Sequence, residues 1–210
     1  MNVFVLCTGR CGSTALADAC EFITNFSSGH ETRAGIVGTD RTSFSDNHIE
    51  IDNRLAWYLG RIDEEFGQGA YYVHMKRDFE KVVNSYSIRK NFGLMKMFQN
   101  GMLIGQDQDV FDDKDLARDI CSTIESNIQH FLKDKPNQME MNLETVQADF
   151  EKFWNWIGAE GDYQQALNTF DIPANTTEDL MNRSNNSFPL RAFRKFVRIV
   201  KGVPAYISKV

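Results

Sequence analysis

Near the start of the chain stands the segment Val3-Phe-Val-Leu-Cys-Thr-Gly-Arg-Cys-Gly-Ser-Thr14. Its apolar, β-branched beginning predicts a buried strand, and the glycines that follow predict a tight turn. We expect a helix to begin at Ser13-Thr14. The N-terminus of a helix directs backbone N–H groups and the positive end of the helix dipole at one point. The segment therefore predicts a loop that binds an anion between a strand and a helix.

The loop differs from a Walker A loop in the position of its cation. A Walker A loop reads G-x-x-x-x-G-K-[ST], and its lysine reaches the β- and γ-phosphates. If Gly12 is aligned with the second glycine, Cys7 replaces the first glycine and Ser13 replaces the lysine. The cation is instead Arg10, upstream of Gly12. We interpret the loop as a site for a phosphate-like group other than the triphosphate of ATP.

A second motif follows another apolar segment. Ala70-Tyr-Tyr-Val-His-Met75 predicts a short buried strand, and the apolar spacing from Phe79 to Arg89 predicts a helix. Arg77 is then expected at the carboxyl end of the strand and Ser85 about two turns into the helix. Ligands of α/β sheets bind beyond the carboxyl ends of the strands, so both motifs are expected to open onto one crevice. An arginine fork with a serine hydroxyl suits a terminal phosphate monoester.

These motifs carry a family resemblance. The segment Gly9-Arg10-Cys11-Gly12-Ser13-Thr14 is similar to the 5′-phosphosulfate loop of sulfotransferases, and Arg77-Asp78-Phe79-Glu80-Lys81-Val82-Val83-Asn84-Ser85-Tyr86 resembles their 3′-phosphate motif. Met139-Glu-Met-Asn-Leu143, with the helix predicted at 145–157, resembles a late strand and helix of the family more loosely. The chain departs from the family in having Cys11 in place of serine or threonine, and it lacks the late R-K-G-x-x-G motif of the cytosolic branch.

The resemblance implies a fold, an activity and a set of binding residues. The implied fold is a three-layer α/β/α arrangement around a central parallel sheet, like that of P-loop NTPases. The implied activity is transfer of a sulfuryl group from 3′-phosphoadenosine 5′-phosphosulfate (PAPS) to an acceptor hydroxyl, which leaves adenosine 3′,5′-bisphosphate (PAP), without a metal. Arg10 corresponds to the cation that stabilises charge on the bridging oxygen. The residues implied in cofactor binding are Gly9, Arg10, Cys11, Gly12, Ser13, Thr14, Arg77 and Ser85.

The general base is assigned less directly. In several sulfotransferase branches it is a glutamate shortly after the loop helix, and in the cytosolic branch it is a histidine from a later segment. Glu31 is the first candidate here, followed by His30 and His48. The alternative role for Glu31 is that of a loop carboxylate paired with Arg33.

The remaining segments fit an α/β fold of one domain, 1–210, because predicted strands alternate with predicted helices. Residues 27–50 are polar and glycine-containing, which predicts mostly loop with a short strand near 34–37, and 91–112 are expected to be irregular. The apolar stripes predict helices at 13–26, 52–66, 113–132 and 145–157.

Composition limits the partners and the location. A net charge of −6 argues against general nucleic-acid binding, which needs a basic surface. No segment approaches the roughly 18 apolar residues of a membrane span. The first strand is predicted to begin at residue 2, which leaves no room for a signal peptide and favours the cytoplasm.

The four cysteines fit no zinc pattern. The expected acceptor is a small molecule, a carbohydrate or a lipid, and the oligomeric state is open.

The C-terminal segment 183–210 is basic. The last 31 residues contain seven Lys or Arg and no acid. This segment is either a docking helix with a solvated basic face or a contact for an anion, such as the cofactor, an acidic acceptor or an anionic membrane.

Two other functions remain open. One is a P-loop nucleotide kinase or NTPase. Two features argue against it: Ser13 occupies the position of the lysine, and Lys76-Arg77 occupies the position of the acid that would hold Mg²⁺. The other is a non-catalytic protein that binds PAP.

Overall fold

The order of strands is the feature that positions the site. The structure is a computed structural model that describes residues 1–89, 93–103 and 111–171. In these residues, five parallel strands form one sheet: β1 (Val3–Leu6), β2 (Ser27–His30), β3 (His48–Ile51), β4 (Tyr71–Lys76) and β5 (Gln138–Asn142). Their order across the sheet is β2-β3-β1-β4-β5. All carboxyl ends therefore lie at one edge, as the sequence predicts for a parallel α/β sheet.

Helices cover both faces of this sheet. The α-helices are α1 (Ser13–Cys20), α2 (Leu59–Phe66), α3 (Phe79–Ser87), α4 (Gly93–Met97), α5 (Asp113–Leu132), α6 (Val146–Ile157) and α7 (Tyr163–Asn168). Short 3₁₀ turns occupy Thr39–Arg41, Asn53–Trp57, Leu143–Thr145 and Thr169–Asp171, and Phe98–Met102 forms a π-helical turn. The basic segment 183–210 and part of the segment 91–112 lie outside the described residues.

The central strand β1 shows why both faces must be covered. Val3 and Val5 pack with α1 and α6 on one face, whereas Phe4 and Leu6 pack with α2, α3 and α5 on the other. All four side chains are fully buried. A strand buried on both faces reads as a continuous apolar run, which is why the sequence predicted β1 correctly.

The sheet reverses its direction of growth between β1 and β4. From β1 the chain passes along α1 toward β2 on one face, and from β3 it passes along α2 to β4 on the other. Such a switch point leaves a crevice outside the carboxyl ends of the two strands. The loop after β1 and the Arg77 segment after β4 face this crevice.

The region 27–50 contains the largest error of the sequence prediction. It holds the strands β2 and β3, and residues 34–37 are a turn followed by irregular chain rather than a strand. β2 reads Ser-Ser-Gly-His and has no apolar residue. It lies at the edge of the sheet and is held by backbone pairing with β3, so it needs no apolar side chains. β3 buries His48 and Glu50, whose side chains bind each other at 2.9 Å. β2 therefore shows no apolar pattern, and in the short strand β3 only Ile49 and Ile51 are apolar.

Helix boundaries also differ from the expected ones. The first helix ends at Cys20 rather than at residue 26, since Ile23 forms a bridge with Gly161. The segment 52–66 is a 3₁₀ turn followed by α2, and Asp52 accepts a hydrogen bond from the Arg54 amide at 2.7 Å at its start. The helix predicted at 113–132 is confirmed at both ends.

A buried ion pair fixes the segment that follows β2. Arg41 Nη2 donates to Asp52 Oδ2 at 2.6 Å, and the two side chains are 2% and 0% exposed. The Arg41 guanidinium also lies 4.7 Å from the centre of the Tyr58 ring. Burial raises the pKa of Asp52, and the Arg54 amide and the Arg41 charge oppose that rise. The pair thus ties the 31–47 connection to the carboxyl end of β3.

We expect Arg41→Met to lower the free energy of unfolding by about 3–5 kcal/mol at neutral pH, because it leaves Asp52 buried without its counterion. Without Arg41 the folded-state pKa of Asp52 rises further above its unfolded value. The variant therefore loses stability relative to wild type as the pH rises through the acid range toward neutrality, and the difference shrinks at acid pH. Urea denaturation at several pH values measures this.

The control is the double variant Arg41→Met with Asp52→Asn. It removes both charges of this pair, so it should be more stable than Arg41→Met alone at neutral pH. A loss from Arg41→Met that does not change with pH would contradict the assignment.

Candidate functional site

The loop between β1 and α1 has the backbone of an anion-binding nest. Gly9, Arg10 and Gly12 all have positive φ, at 85°, 61° and 91°. Gly12 caps α1 without a side-chain hydrogen bond, and Leu16 N–H donates to its carbonyl oxygen at 3.1 Å to close the first turn. The amides of a first turn have no carbonyl four residues earlier in the helix, so they point out of the helix end. The loop therefore offers backbone donors at the switch point.

Neighbouring side chains leave no room for a Cβ atom at either glycine. A Cβ on Gly9 would lie 2.6 Å from Tyr86 Oη, and a Cβ on Gly12 would lie 2.6 Å from Leu143 Cδ1. Tyr86 Oη donates to the Thr8 carbonyl oxygen at 2.5 Å, which ties the loop to α3. The conformation and the space both require glycine here, as the sequence motif indicated.

The cysteine of the loop points into the core. Cys11 is fully buried, and Cys7, one turn of the loop away, is buried beside it. The hydrogen bond between the two thiols, together with burial, raises the pKa of Cys7 well above its ordinary value. Cys11 can therefore contribute its backbone N–H to an anion site, while its side chain packs among apolar residues.

The two sequence motifs meet at one point. Arg10 Nε donates to Ser85 Oγ at 3.1 Å, and Arg77 Nη1 donates to the carbonyl oxygen of Arg10 at 3.1 Å. Arg77 directly follows β4 and Ser85 lies in α3, as predicted. Burial lowers the pKa of Arg10, and the nearby charge of Arg77 lowers it further, against the opposing influence of Tyr86. The loop and the second motif thus form one basic cluster.

Sequence reasoning missed a third arginine in this cluster. Arg89 Nη1 donates to Ser85 Oγ at 2.8 Å and also to the Ser85 carbonyl oxygen. Its Nη2 is buried and has no hydrogen-bond partner within the described residues. Burial and the charge of Arg10 lower the pKa of Arg89 to about 10. The available signal was its spacing of four residues from Ser85 in a predicted helix, which places both on one helix face.

The candidate bases lie at the carboxyl end of β2. His30 Nε2 is 3.3 Å from Ser13 Oγ, so this side chain contacts the anion loop. Glu31 has a positive φ of 53°, and its Oε2 lies 2.6 Å from Arg54 Nη1. Its predicted alternative partner, Arg33, instead donates to the Asp40 carbonyl oxygen at 2.8 Å.

Arg54 is a further residue that the sequence did not single out. Burial would lower its pKa, but the hydrogen bond and charge of Glu31 outweigh burial and raise it. Arg54 also lies 4.0 Å from Asp52, so it stands between two carboxylates. The acids at this side of the crevice are therefore neutralised by arginines.

The third candidate base lies elsewhere. His48 is the first residue of β3, and its ring contacts Glu50 at 2.9 Å and Ser27 Oγ at 2.9 Å. The amino ends of parallel strands lie at the edge of the sheet opposite the loop. The structure therefore separates His48 from the residues that it brings together at the switch point.

A cavity of about 160 Å³ opens beside Arg77. It is lined by Thr8, Lys76, Arg77, Phe79, Val82 and Glu125. Its walls come from the ends of β1 and β4 and from α3 and α5, so it adjoins the basic cluster.

Comparison with known proteins supports the fold. No family model matches the chain, and no curated protein matches it. Among solved structures it is similar to a sulfotransferase domain from the curacin biosynthetic pathway, with a TM-score of 0.56 and 14% sequence identity. The match covers 83% of this chain and 79% of that domain. The chain has a sulfotransferase-like α/β fold. No helix among the described residues is long and apolar enough to cross a membrane.

We expect Gly12→Ala to lower the free energy of unfolding by about 1–3 kcal/mol or more, because alanine must adopt a positive φ and displace Leu143. Urea denaturation measures the loss. The control is Gly60→Ala in α2, where no atom lies within 4 Å of the new Cβ. Alanine is the better helix former, so this change should be neutral or stabilise by up to about 1 kcal/mol. Equal stability of Gly12→Ala and wild type would contradict the geometry.

Proposed function

We propose that this protein is a PAPS-dependent sulfotransferase that acts on a hydroxyl of a small molecule, a carbohydrate or a lipid. The observation that carries the proposal is the hydrogen bond from Arg10 to Ser85 at 3.1 Å. It joins a loop suited to a 5′-phosphosulfate with a motif suited to a 3′-phosphate. A nucleotide with anionic groups at both positions is the ligand that such a joined site fits.

The residues of the crevice fit this donor. Gly9 and Gly12 have positive φ, which lets the loop turn its backbone N–H groups toward an anionic group, while Tyr86 and Leu143 pack on the side where a Cβ atom would lie. The 5′-phosphosulfate would be held by backbone N–H groups from Cys11 to Thr14 and by the hydroxyls of Ser13 and Thr14. The 3′-phosphate would be held by Arg77 and Ser85.

The chemistry assigns separate roles to the protein side chains. PAPS supplies a sulfuryl group bonded to a phosphate oxygen. Arg10 stabilises the negative charge that develops on that bridging oxygen, as a fixed cation that needs no reorganisation. Glu31 accepts the proton of the acceptor hydroxyl, while Arg54 holds the carboxylate through Oε2. His30 orients the Ser13 hydroxyl of the loop.

The charges favour this reaction over a Mg²⁺-dependent kinase. Lys76 and Arg77 occupy the end of β4, where a kinase of this fold would place an acid. Asp52 and Glu31, the carboxylates at the ends of β3 and β2, are paired with Arg41 and Arg54. The crevice is therefore arranged to neutralise a ligand's negative charge with arginines.

Calorimetric titration with PAP and with ADP, without added metal, tests the donor site. PAP should bind more tightly than ADP, because only PAP places a phosphate on the 3′ position. Arg77→Ala should weaken PAP about tenfold to a hundredfold, the effect of losing one charge-assisted hydrogen bond, and should leave ADP nearly unchanged. Arg118→Ala, which removes an exposed arginine paired with Glu80, serves as the control. Equal binding of the two nucleotides, or ADP binding that requires Mg²⁺, would favour the kinase instead.

A second test concerns the general base. Once a screen with radiolabelled PAPS identifies an accepted hydroxyl compound, Glu31→Gln should lower kcat by about 10²- to 10⁴-fold. It should leave the affinity for PAP within about twofold of wild type, since a base for the acceptor does not touch the donor nucleotide. Glu64→Gln, an exposed carboxylate on α2, is the matched control. A loss of this size from His30→Gln with an active Glu31→Gln enzyme would transfer the role of base to His30. PAP binding without transfer to any acceptor would identify a non-catalytic protein.

A further inference from the structure

Ser85 is held in an unusual hydrogen-bonding state. Its hydroxyl oxygen accepts from Arg10 Nε at 3.1 Å and from Arg89 Nη1 at 2.8 Å. A serine hydroxyl has two acceptor lone pairs and one donor hydrogen. The two guanidinium groups therefore occupy both lone pairs of the oxygen. The hydroxyl can then act only as a hydrogen-bond donor. Within the described residues, Ser85 Oγ donates to no acceptor.

Arg89 has an unused donor at the same place. Its Nη1 donates to Ser85, while Nη2 is buried and has no hydrogen-bond partner among residues 1–89, 93–103 and 111–171. A buried guanidinium N–H group without an acceptor is costly, so its persistence calls for a ligand atom or a functional reason. The bond from Nη1 to the Ser85 carbonyl oxygen, which caps the helix, explains the position of Nη1. It does not explain why Nη2 is buried.

The surroundings carry positive charge. Arg77 and Arg89 make no ion pair with a carboxylate among the residues that the structure describes, and Arg10 lies between them through its bonds to both elements. The mutual influence of these arginines is visible in the lowered pKa of Arg89, which burial causes first and Arg10 second. A bound anion with two negative charges would relieve this repulsion and accept the free hydrogens.

We infer that Arg89 binds the 3′-phosphate of the donor nucleotide and, with Arg10, orients the Ser85 hydroxyl as a donor to that phosphate. This inference rests on the proposed function and adds a specificity-determining residue to its donor site. The phosphate oxygens accept from Arg89 Nη2, from Ser85 Oγ and from Arg77. Arg89 then contributes to the discrimination between nucleotides with and without a 3′-phosphate.

The test compares PAP with adenosine 5′-monophosphate (AMP), which lacks the 3′-phosphate, by calorimetry on the full chain. For wild type we expect PAP to bind more tightly than AMP. Arg89→Met should weaken PAP about tenfold or more and leave AMP within about twofold. Arg89→Lys should show an intermediate loss, since lysine keeps the charge but cannot hold Ser85 and a phosphate with one planar fork. Arg118→Met, in the neighbouring helix α5, should change neither affinity.

The outcomes separate this inference from the function on which it rests. Equal weakening of PAP and AMP by Arg89→Met would assign Arg89 to capping of α3 and overturn the inference. Unchanged PAP binding would also overturn it, with the donor site intact. A wild-type protein that binds PAP no more tightly than AMP would overturn the proposed function and this inference together. If Arg89→Met does not fold, Arg89→Lys gives the same comparison.

Discussion

The contact of Tyr86 with the first loop is the constraint on which the site depends. Its hydroxyl occupies the space that a Cβ atom of Gly9 would fill and donates to the Thr8 carbonyl oxygen. Tyr86 immediately follows Ser85, so the same contact brings the serine to Arg10. A loop on β1 and a helix after β4, which are 78 residues apart along the chain, thereby become one surface. The phenol is almost fully buried, which raises its pKa and keeps it a hydrogen-bond donor.

Charge is distributed unevenly across the crevice. Around the ends of β1 and β4, arginines contact a serine hydroxyl and a backbone carbonyl. Around the ends of β2 and β3, arginines instead meet carboxylates. The β1–β4 half therefore keeps arginine side chains that carry no carboxylate partner in these contacts, whereas the carboxylates of the β2–β3 half are already paired. This division follows from the strand order, because the sheet reverses direction between β1 and β4.

The sequence predicted those parts of the structure in which one physical pattern dominates. The apolar run predicted β1, the glycines predicted the loop after it, and the helical spacing predicted the helix at 113–132. The strands β2 and β3 were not predicted, because β2 is polar and β3 buries a histidine together with a glutamate. Arg54 and Arg89 were not singled out because an arginine near a helix end is common. Only their contacts in the folded structure distinguish these two arginines from others. The roles of Glu31 and His30 stay predictions.

The edge position of β2 has a consequence for how the two halves of the crevice behave. The half with the glycine loop rests on β1 and β4, which have neighbours on both sides, whereas Glu31 follows a four-residue strand that pairs with β3 alone. Backbone amides of such an edge open locally at a smaller free energy than those of central strands, so they exchange with solvent deuterium sooner. The β2 side of the crevice can thus open locally while the strands under the glycine loop stay closed. Substitutions in β2 should also disturb the core less than substitutions around the glycine loop, because no side chain of β2 is fully buried.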